Sequence, residues 1–140
     1  MAHYLHEIMT KEIFSVRKDA SVRVVARVMR ERGIGDVLVT NRDGTLFGIV
    51  TDRDLVVRGL ASSRDLDNMQ VGEIATDALV QLPPMATIED AVALMRERAI
   101  RHIPVVRDAI AIGIVSLGDL ARRQDPRSVL AQISAAPPNN

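Results

Sequence analysis

One phrase occurs twice in this chain, as GIVTDRDL at residues 48–55 and as GIVSLGDL at residues 113–120, an offset of 65 residues (113 − 48). The echo extends upstream. SVRVVARVMRERGIGDVLV at 21–39 aligns with TIEDAVALMRERAIRHIPV at 87–105, at an offset of 66 (87 − 21), which sets Met29-Arg30-Glu31-Arg32 on Met95-Arg96-Glu97-Arg98. The lost residue falls between these stretches, in a hairpin that reads NRDGTLF in the first copy and RDAIAI in the second, and loops tolerate such deletions. Farther upstream, Thr10 and Val16 match Thr76 and Leu82. A repeat of this kind commits the fold to two copies of one supersecondary unit. Each copy, at roughly sixty residues, is small to stand alone and needs a second layer over its apolar faces. Two copies packed face to face about a pseudo-twofold axis meet that need.

Each copy reads as strand, helix, strand, strand, helix, which makes the expected fold class α/β (α+β) with tandem β-α-β-β-α repeats. In the first copy Ser21 is the expected N-cap, Val22, Val25, Ala26 and Met29 form an apolar stripe at helical spacing, and Gly33 suits a left-handed C-terminal position. In the second copy Thr87 caps, Ile88, Ala91, Val92 and Met95 form the stripe, and Glu89 and Asp90 complement the positive end of the helix dipole. DVLVT and HIPVV then read as short buried strands, turning into LFGIV and IAIGIV, with RDG as the first turn signal. The final helix of each copy is expected to begin at the hydroxyl of the repeated phrase, Thr51 ahead of Leu55 and Val56, and Ser116 ahead of Leu120. These elements divide the chain into repeats at 5–60 and 71–123, a polar surface linker at 61–70, and a tail at 124–140 that ends in a frayed AAPPNN.

Composition narrows the classes of function. Eighteen basic and eighteen acidic residues cancel, so no overall field draws the chain to nucleic acid or to an anionic membrane. Only Tyr4, Phe14 and Phe47 are aromatic, which leaves no platform for stacking successive bases. Without cysteine, disulfides and thiolate chemistry are excluded. The opening MAHYLHEIMTKEIF mixes charge through its apolar residues, and no apolar run approaches the ~20 residues that span a bilayer. The expectation is a soluble, cytoplasmic protein with neither nucleic-acid nor membrane partners.

The helix ending in MRERGI or MRERAIRHIPVV, the hairpin, and G-I-V-[ST]-x-x-D-L together resemble the CBS domain, and the tandem pair resembles a Bateman module. The resemblance implies a stand-alone CBS pair that is not an enzyme and carries no cofactor. It would sense an adenosine-containing small molecule (AMP, ADP, ATP or S-adenosylmethionine) in a cleft between repeats, form a homodimer, and signal through an effector protein. The alternative it implies is a ligand-free scaffold for dimerisation and protein–protein contact; Val56, Val57 and Leu60 suit such a surface and ordinary core packing equally well. In the family the motif Asp grips the ribose hydroxyls and the Ser or Thr lies near ribose and phosphate. Here those are Asp54 with Thr51 and Asp119 with Ser116.

The same resemblance implies that each cleft joins the motif of one repeat to the strand entrance of the other. The first cleft would then combine Thr51, Arg53, Asp54 and Thr76 with Val80, Ile100, Arg101 and His102. The second, expected to be weaker, would combine Ser116, Asp119 and Thr10 with Phe14, Ile34 and Gly35, beside Asp36. Arginine suits a phosphate, whereas Asp36 opposes one. If one cleft binds, the expectation is therefore the cleft of Asp54.

The residues by themselves allow two readings. Thr51 and Asp54 stand three apart at a helix start, on one face, as do Ser116 and Asp119. A carboxylate accepts two hydrogen bonds at once, which suits a cis-diol, and free helix N–H groups suit a phosphate. Hydroxyl-x-x-acid is equally a capping box, which stabilises a helix start by about 1 kcal/mol with no ligand. Two differences between the copies bear on this: Leu38 stands where the second copy has Pro104, and Leu117 and Gly118 stand where the first has Asp52 and Arg53. Catalysis has thin material, with only His3, His6 and His102 as near-neutral bases and no GxSxG elbow. Asp52 and Asp54 point to different faces, which disfavours magnesium. His3 and His6, at i, i+3 spacing, suit either two ligands of a metal or a mobile, solvated N-terminus.

Overall fold

The computed structural model describes residues 3–62, 64–77, 80–125, 127 and 129–137. The chain begins with α1 (Leu5–Ile8), β1 (Ser15–Arg17), α2 (Val22–Arg32), β2 (Asp36–Thr40), β3 (Leu46–Thr51) and α3 (Asp52–Asp54). It continues through β4 (Thr76–Asp77), α4 (Ile88–Arg98), β5 (His102–Arg107), β6 (Ile110–Ser116), α5 (Leu117–Gln124) and α6 (Val129–Ala135). Two compact units form, one of residues 14–77 and one that joins residues 3–13 to residues 80–137.

The first unit holds a four-stranded sheet in the order β1-β2-β3-β4. β1 runs parallel to β2, with Val16 opposite Val39; β2 and β3 are antiparallel, with Val37 opposite Val50; β4 sets Thr76 opposite Ile49. The second unit builds the same four rows with less regular edges. Its β5–β6 hairpin is flanked by a parallel bridge from Leu82 to Val105 and an antiparallel bridge from Thr10 to Ile114. Each sheet therefore takes its last row from the opening segment of the other copy: Thr76 pairs with the first copy's hairpin and Thr10 with the second's. The match of Thr10 and Val16 to Thr76 and Leu82 is the sequence trace of this exchange.

The glycine of the repeated phrase has a steric reason in the second unit. A Cβ on Gly113 would lie 2.5 Å from Met9 Sδ and 3.0 Å from the Thr10 carbonyl oxygen, where Thr10 and Ile114 exchange backbone hydrogen bonds of 2.9 and 3.0 Å. Gly113→Ala is expected to push this row off β6 and cost about 1–3 kcal/mol, read as a lower thermal midpoint.

Local signals fall where the spacing put them. Ser21 Oγ accepts from the Val24 N–H at 3.1 Å, and Gly33 closes α2 in the left-handed region at φ 62°. Thr87 and Asp90 form a reciprocal capping box at 2.9 and 3.1 Å. Ala99 closes α4 with φ 54°, a left-handed residue without glycine's freedom. Leu38 and Pro104 explain the unequal edges: the Leu38 N–H donates to the Phe14 carbonyl at 3.1 Å, whereas Pro104 has no N–H for the matching carbonyl of Val80.

Five expectations change. Ala26 is exposed, outside the buried stripe of Val22, Val25 and Met29. The linker is not merely a polar surface segment: Met69 is 1% exposed, its carbonyl accepts from the Val22 N–H at 2.8 Å, and Gln70 bridges to Ser21. The tail contains α6, which packs on α5 and buries Ala131. The described N-terminal segment is anchored at Leu5, which is fully buried. The first copy's closing helix is regular only over α3; it widens into a π-helical turn over Leu55–Gly59 and ends in a 3-10 turn over Leu60–Ser62.

Each unit has its own core. The first packs Val22, Val25, Met29, Val37, Val39 and Val50 with Met69, Val71 and Ile74. The second packs Leu5, Ile88, Ala91, Met95, Ile103, Val105, Val115 and Leu120 around Ala86. Each large side chain buried there contributes roughly 1.5–3 kcal/mol. Among the described residues, no helix is long and apolar enough to cross a membrane.

Candidate functional site

In the first unit, β3 delivers Thr51 opposite Asp36 at the sheet's edge, and the chain turns directly into α3. Thr51 Oγ1 accepts from the Asp54 N–H at 3.2 Å, and Asp54 Oδ2 accepts from the Thr51 N–H at 2.9 Å. The loop after α2 closes on the same turn: the Asp52 N–H donates to the Gly35 carbonyl at 2.9 Å, and a Cβ on Gly35 would lie 3.1 Å from Asp52 Oδ2. The Asp54 side chain is 15% exposed, and Arg58 Nε stands 3.9 Å from its Oδ1. Arg58 Nη1 also donates to the Ile74 carbonyl at 3.3 Å, next to the short strand that carries Thr76.

The second unit repeats this construction around Ser116, which faces His102 across the hairpin. Ser116 Oγ accepts from the Asp119 N–H at 3.1 Å, and Asp119 Oδ2 accepts from the Ser116 N–H at 2.9 Å. The Leu117 N–H donates to the Arg101 carbonyl at 2.9 Å. Here the carboxylate is more fully engaged. Thr10 Oγ1 donates to Asp119 Oδ2 at 3.4 Å, Arg122 Nη2 donates to Asp119 Oδ1, and the side chain is only 6% exposed.

The cap reading is thus realised in both copies, and the same carboxylates keep lone pairs beyond those the caps use. Of the residues grouped around Asp54 by resemblance, Thr51, Arg53 and Thr76 share its unit; Val80, Ile100, Arg101 and His102 lie in the other, the last three leading into β5. Of those grouped around Asp119, Thr10 and Ser116 share its unit and contact it, while Phe14, Ile34, Gly35 and Asp36 lie in the other. Phe14 packs against the first core, with the Arg32 guanidinium 4.5 Å from its ring centroid. Arg53 and Arg101 are exposed. The metal reading of the N-terminus gains no third ligand: His3 Nδ1 meets Arg123 Nη2 at 3.0 Å, His6 stacks on Tyr4, and the described residues hold no group of three or more His, Cys, Asp or Glu suited to a metal. Sequence reasoning missed Arg58 and Arg122. Their i, i+4 and i, i+3 spacing from the motif acids was the available signal.

A model of the CBS domain matches residues 5–61 and again residues 71–125. The chain belongs to the CBS domain family. This CBS pair is 30% identical to Hypoxic response protein 1 of Mycobacterium tuberculosis, over 92% of this chain and 90% of that protein. It is 35% identical to the CBS domain-containing protein YhcV of Bacillus subtilis, over 84% of this chain and 83% of that one. A crystal structure of Hypoxic Response Protein I with two coordinated zinc ions superposes with a TM-score of 0.79 at 31% identity, covering 86% of this chain and 98% of that one. A hexameric CBS-CP12 protein from bloom-forming cyanobacteria gives 0.77 at 27% identity, covering 95% and 81%. CBS pairs are typically regulatory ligand-binding modules, and CBS domains generally bind adenosine ligands.

Proposed function

We propose that this CBS pair senses an adenosine-containing ligand, AMP, ADP, ATP or S-adenosylmethionine, through its motif aspartates and passes the bound state to an effector protein. The observation that carries this reading is the Asp54 carboxylate. One oxygen accepts a backbone N–H at 2.9 Å, the other has a guanidinium nitrogen 3.9 Å away as its side-chain neighbour among the described residues, and a partly buried acceptor in that state suits the two hydroxyls of a ribose. Thr51 and Thr76 add hydroxyls in the same unit, and the exposed Arg53 is that unit's cation proposed for phosphate.

Calorimetric titration of the parent and of Asp54→Ala with the four ligands tests this. Loss of charge-assisted hydrogen bonds is expected to weaken binding about tenfold or more. A cap without a ligand role predicts only ~1 kcal/mol of lost stability and no change in titration. Zinc belongs in the same series as a control, because a similar protein's structure contains it. If none of the adenosine ligands gives heat or raises the melting temperature of the parent, the sensing reading fails.

One observation favours a second reading, a scaffold that dimerises without ligand. Val56, Val57 and Leu60 are 56%, 52% and 64% exposed along the turn that follows α3, and a cyanobacterial relative in fold is hexameric. Val57→Glu with Leu60→Glu is expected to turn an assembly into monomers in sedimentation velocity. A parent that sediments as a monomer overturns this second reading.

A further inference from the structure

The two motif aspartates are built alike and occupied unlike. At Asp119, Arg122 donates to Oδ1, the oxygen that the capping bond leaves, and Thr10 donates to Oδ2 beside the Ser116 N–H. Among the described residues no side chain donates a hydrogen bond of ordinary length to Asp54, and the Arg58 guanidinium beside it is also held by the Ile74 carbonyl. The repeat register identifies the cause. Arg122 aligns with Val57 (122 − 65), so the first copy has no cation three residues after its motif acid. The residue that aligns with Arg58 is Arg123 (58 + 65), and its guanidinium is engaged with His3 instead.

We infer that Arg122 is an internal competitor for the diol at Asp119, so that the parent chain takes one nucleoside, at Asp54, and the second motif is held closed by its own helix. This rests on the ribose reading proposed above. A diol at Asp119 has to displace a charge-assisted bond from a side chain anchored on the same helix, and that bond is worth a loss of about tenfold or more in affinity. α5 is regular from Leu117 to Gln124, and the regular helix sets residue i+3 beside residue i. In the π-helical turn that follows α3 the nearby cation is instead Arg58, four residues after its acid, and its Nε stands 3.9 Å from Asp54 Oδ1.

Stoichiometry reads this directly. With AMP or ATP the parent is expected to bind one equivalent, and Asp54→Ala to bind about tenfold or more weakly. Arg122→Val, which installs the first copy's residue, is expected to bind two equivalents. Asp54→Ala with Arg122→Val is expected to bind one equivalent at least tenfold more tightly than Asp54→Ala alone. Arg122→Gln keeps a neutral donor in place and is expected to fall between, which secures the comparison if the valine variant does not melt cooperatively. Two equivalents on the parent, undiminished binding by Asp54→Ala, or an Arg122→Val protein that folds and still binds one equivalent each overturn the role of Arg122 and leave nucleotide sensing standing. No heat from any of these proteins removes the sensing reading and the competitor with it.

Discussion

Leu5→Ala is expected to destabilise the core of the second copy by about 2–5 kcal/mol, although Leu5 opens the first copy in sequence. Its side chain is 0% exposed and packs with Ile88, Ile103, Val115 and Leu120. The backbone around it is tied to the same unit. The Leu5 N–H donates to the Ala86 carbonyl at 2.9 Å, the His6 N–H to the Pro84 carbonyl at 3.1 Å, and the Ile88 N–H to the His3 carbonyl at 3.1 Å. An alanine leaves a cavity that this double-sided anchoring prevents from collapsing, which places the cost toward the upper part of the range. Urea denaturation measures the loss, and native-state amide exchange locates it. Amides of β5 and β6 are expected to lose protection before those of β2 and β3. A loss under 1 kcal/mol, or one confined to β2 and β3, overturns the assignment of this segment to the second unit.

The helix that carries Leu5 also responds to acid. The Glu7 carboxyl lies below its ordinary range, chiefly because it accepts the Tyr4 N–H. A depressed folded-state value means that the contribution is present above the ordinary carboxylate range and lost as the pH falls through the lowered one. Glu7→Gln is expected to flatten that part of the acid profile.

The sequence made the repeat legible because the residues that build it are ones whose chemistry is local. Ser21, Thr87, Thr51 and Ser116 cap helices through bonds to neighbours three residues away, and such bonds are visible in spacing alone. Val22, Val25 and Met29 show a period that only one buried face explains. What spacing does not show is which partner a segment takes at long range. Thr10 and Thr76 align as equivalents, yet nothing in either stretch says that each completes the sheet of the other copy. Met69 sits among Asp67, Asn68 and Gln70, so its burial in the first core was masked by the polarity of its neighbours. α6 lay in a stretch whose Pro and Asn end dominated the reading. The π-helical turn is invisible for a similar reason, since Leu55–Gly59 suits an α-helix equally well and the wider turn places Gly59 against Val22.

The candidate site divides in the same way. Its cap geometry was readable, because hydroxyl-x-x-acid specifies it. The difference between its two acids depended on residues outside the repeated phrase: the alignment places Val57 against Arg122, three residues after each acid, and in α5 that difference becomes an ion pair.

The unequal engagement of the two acids has a consequence for stability that needs no ligand. Asp119→Ala is expected to cost about 2–4 kcal/mol, because it removes the capping-box bond from the Ser116 N–H, worth ~1 kcal/mol, and leaves the Arg122 guanidinium without its acceptor. The estimate stays below the 3–5 kcal/mol typical of breaking a fully buried pair, because the Arg122 side chain is 38% exposed and is partly solvated on its own. Asp54→Ala is expected to cost only about 1–1.5 kcal/mol. It loses the cap, but Arg58 is 54% exposed and 3.9 Å away, where an ion pair contributes under about 1 kcal/mol. Asp119→Asn keeps the shape and an acceptor for Ser116 while losing the charge, and is expected to lie between. Chemical denaturation of the three variants at neutral pH ranks them, and a double-mutant cycle of Asp119→Ala with Arg122→Val isolates the pair. A coupling of at least 1 kcal/mol means that the second motif acid is held by its own helix, as the competitor reading needs. Equal losses for the two alanine variants with no coupling mean that both acids are only helix caps, and the two copies then differ in sequence without differing in what their aspartates hold.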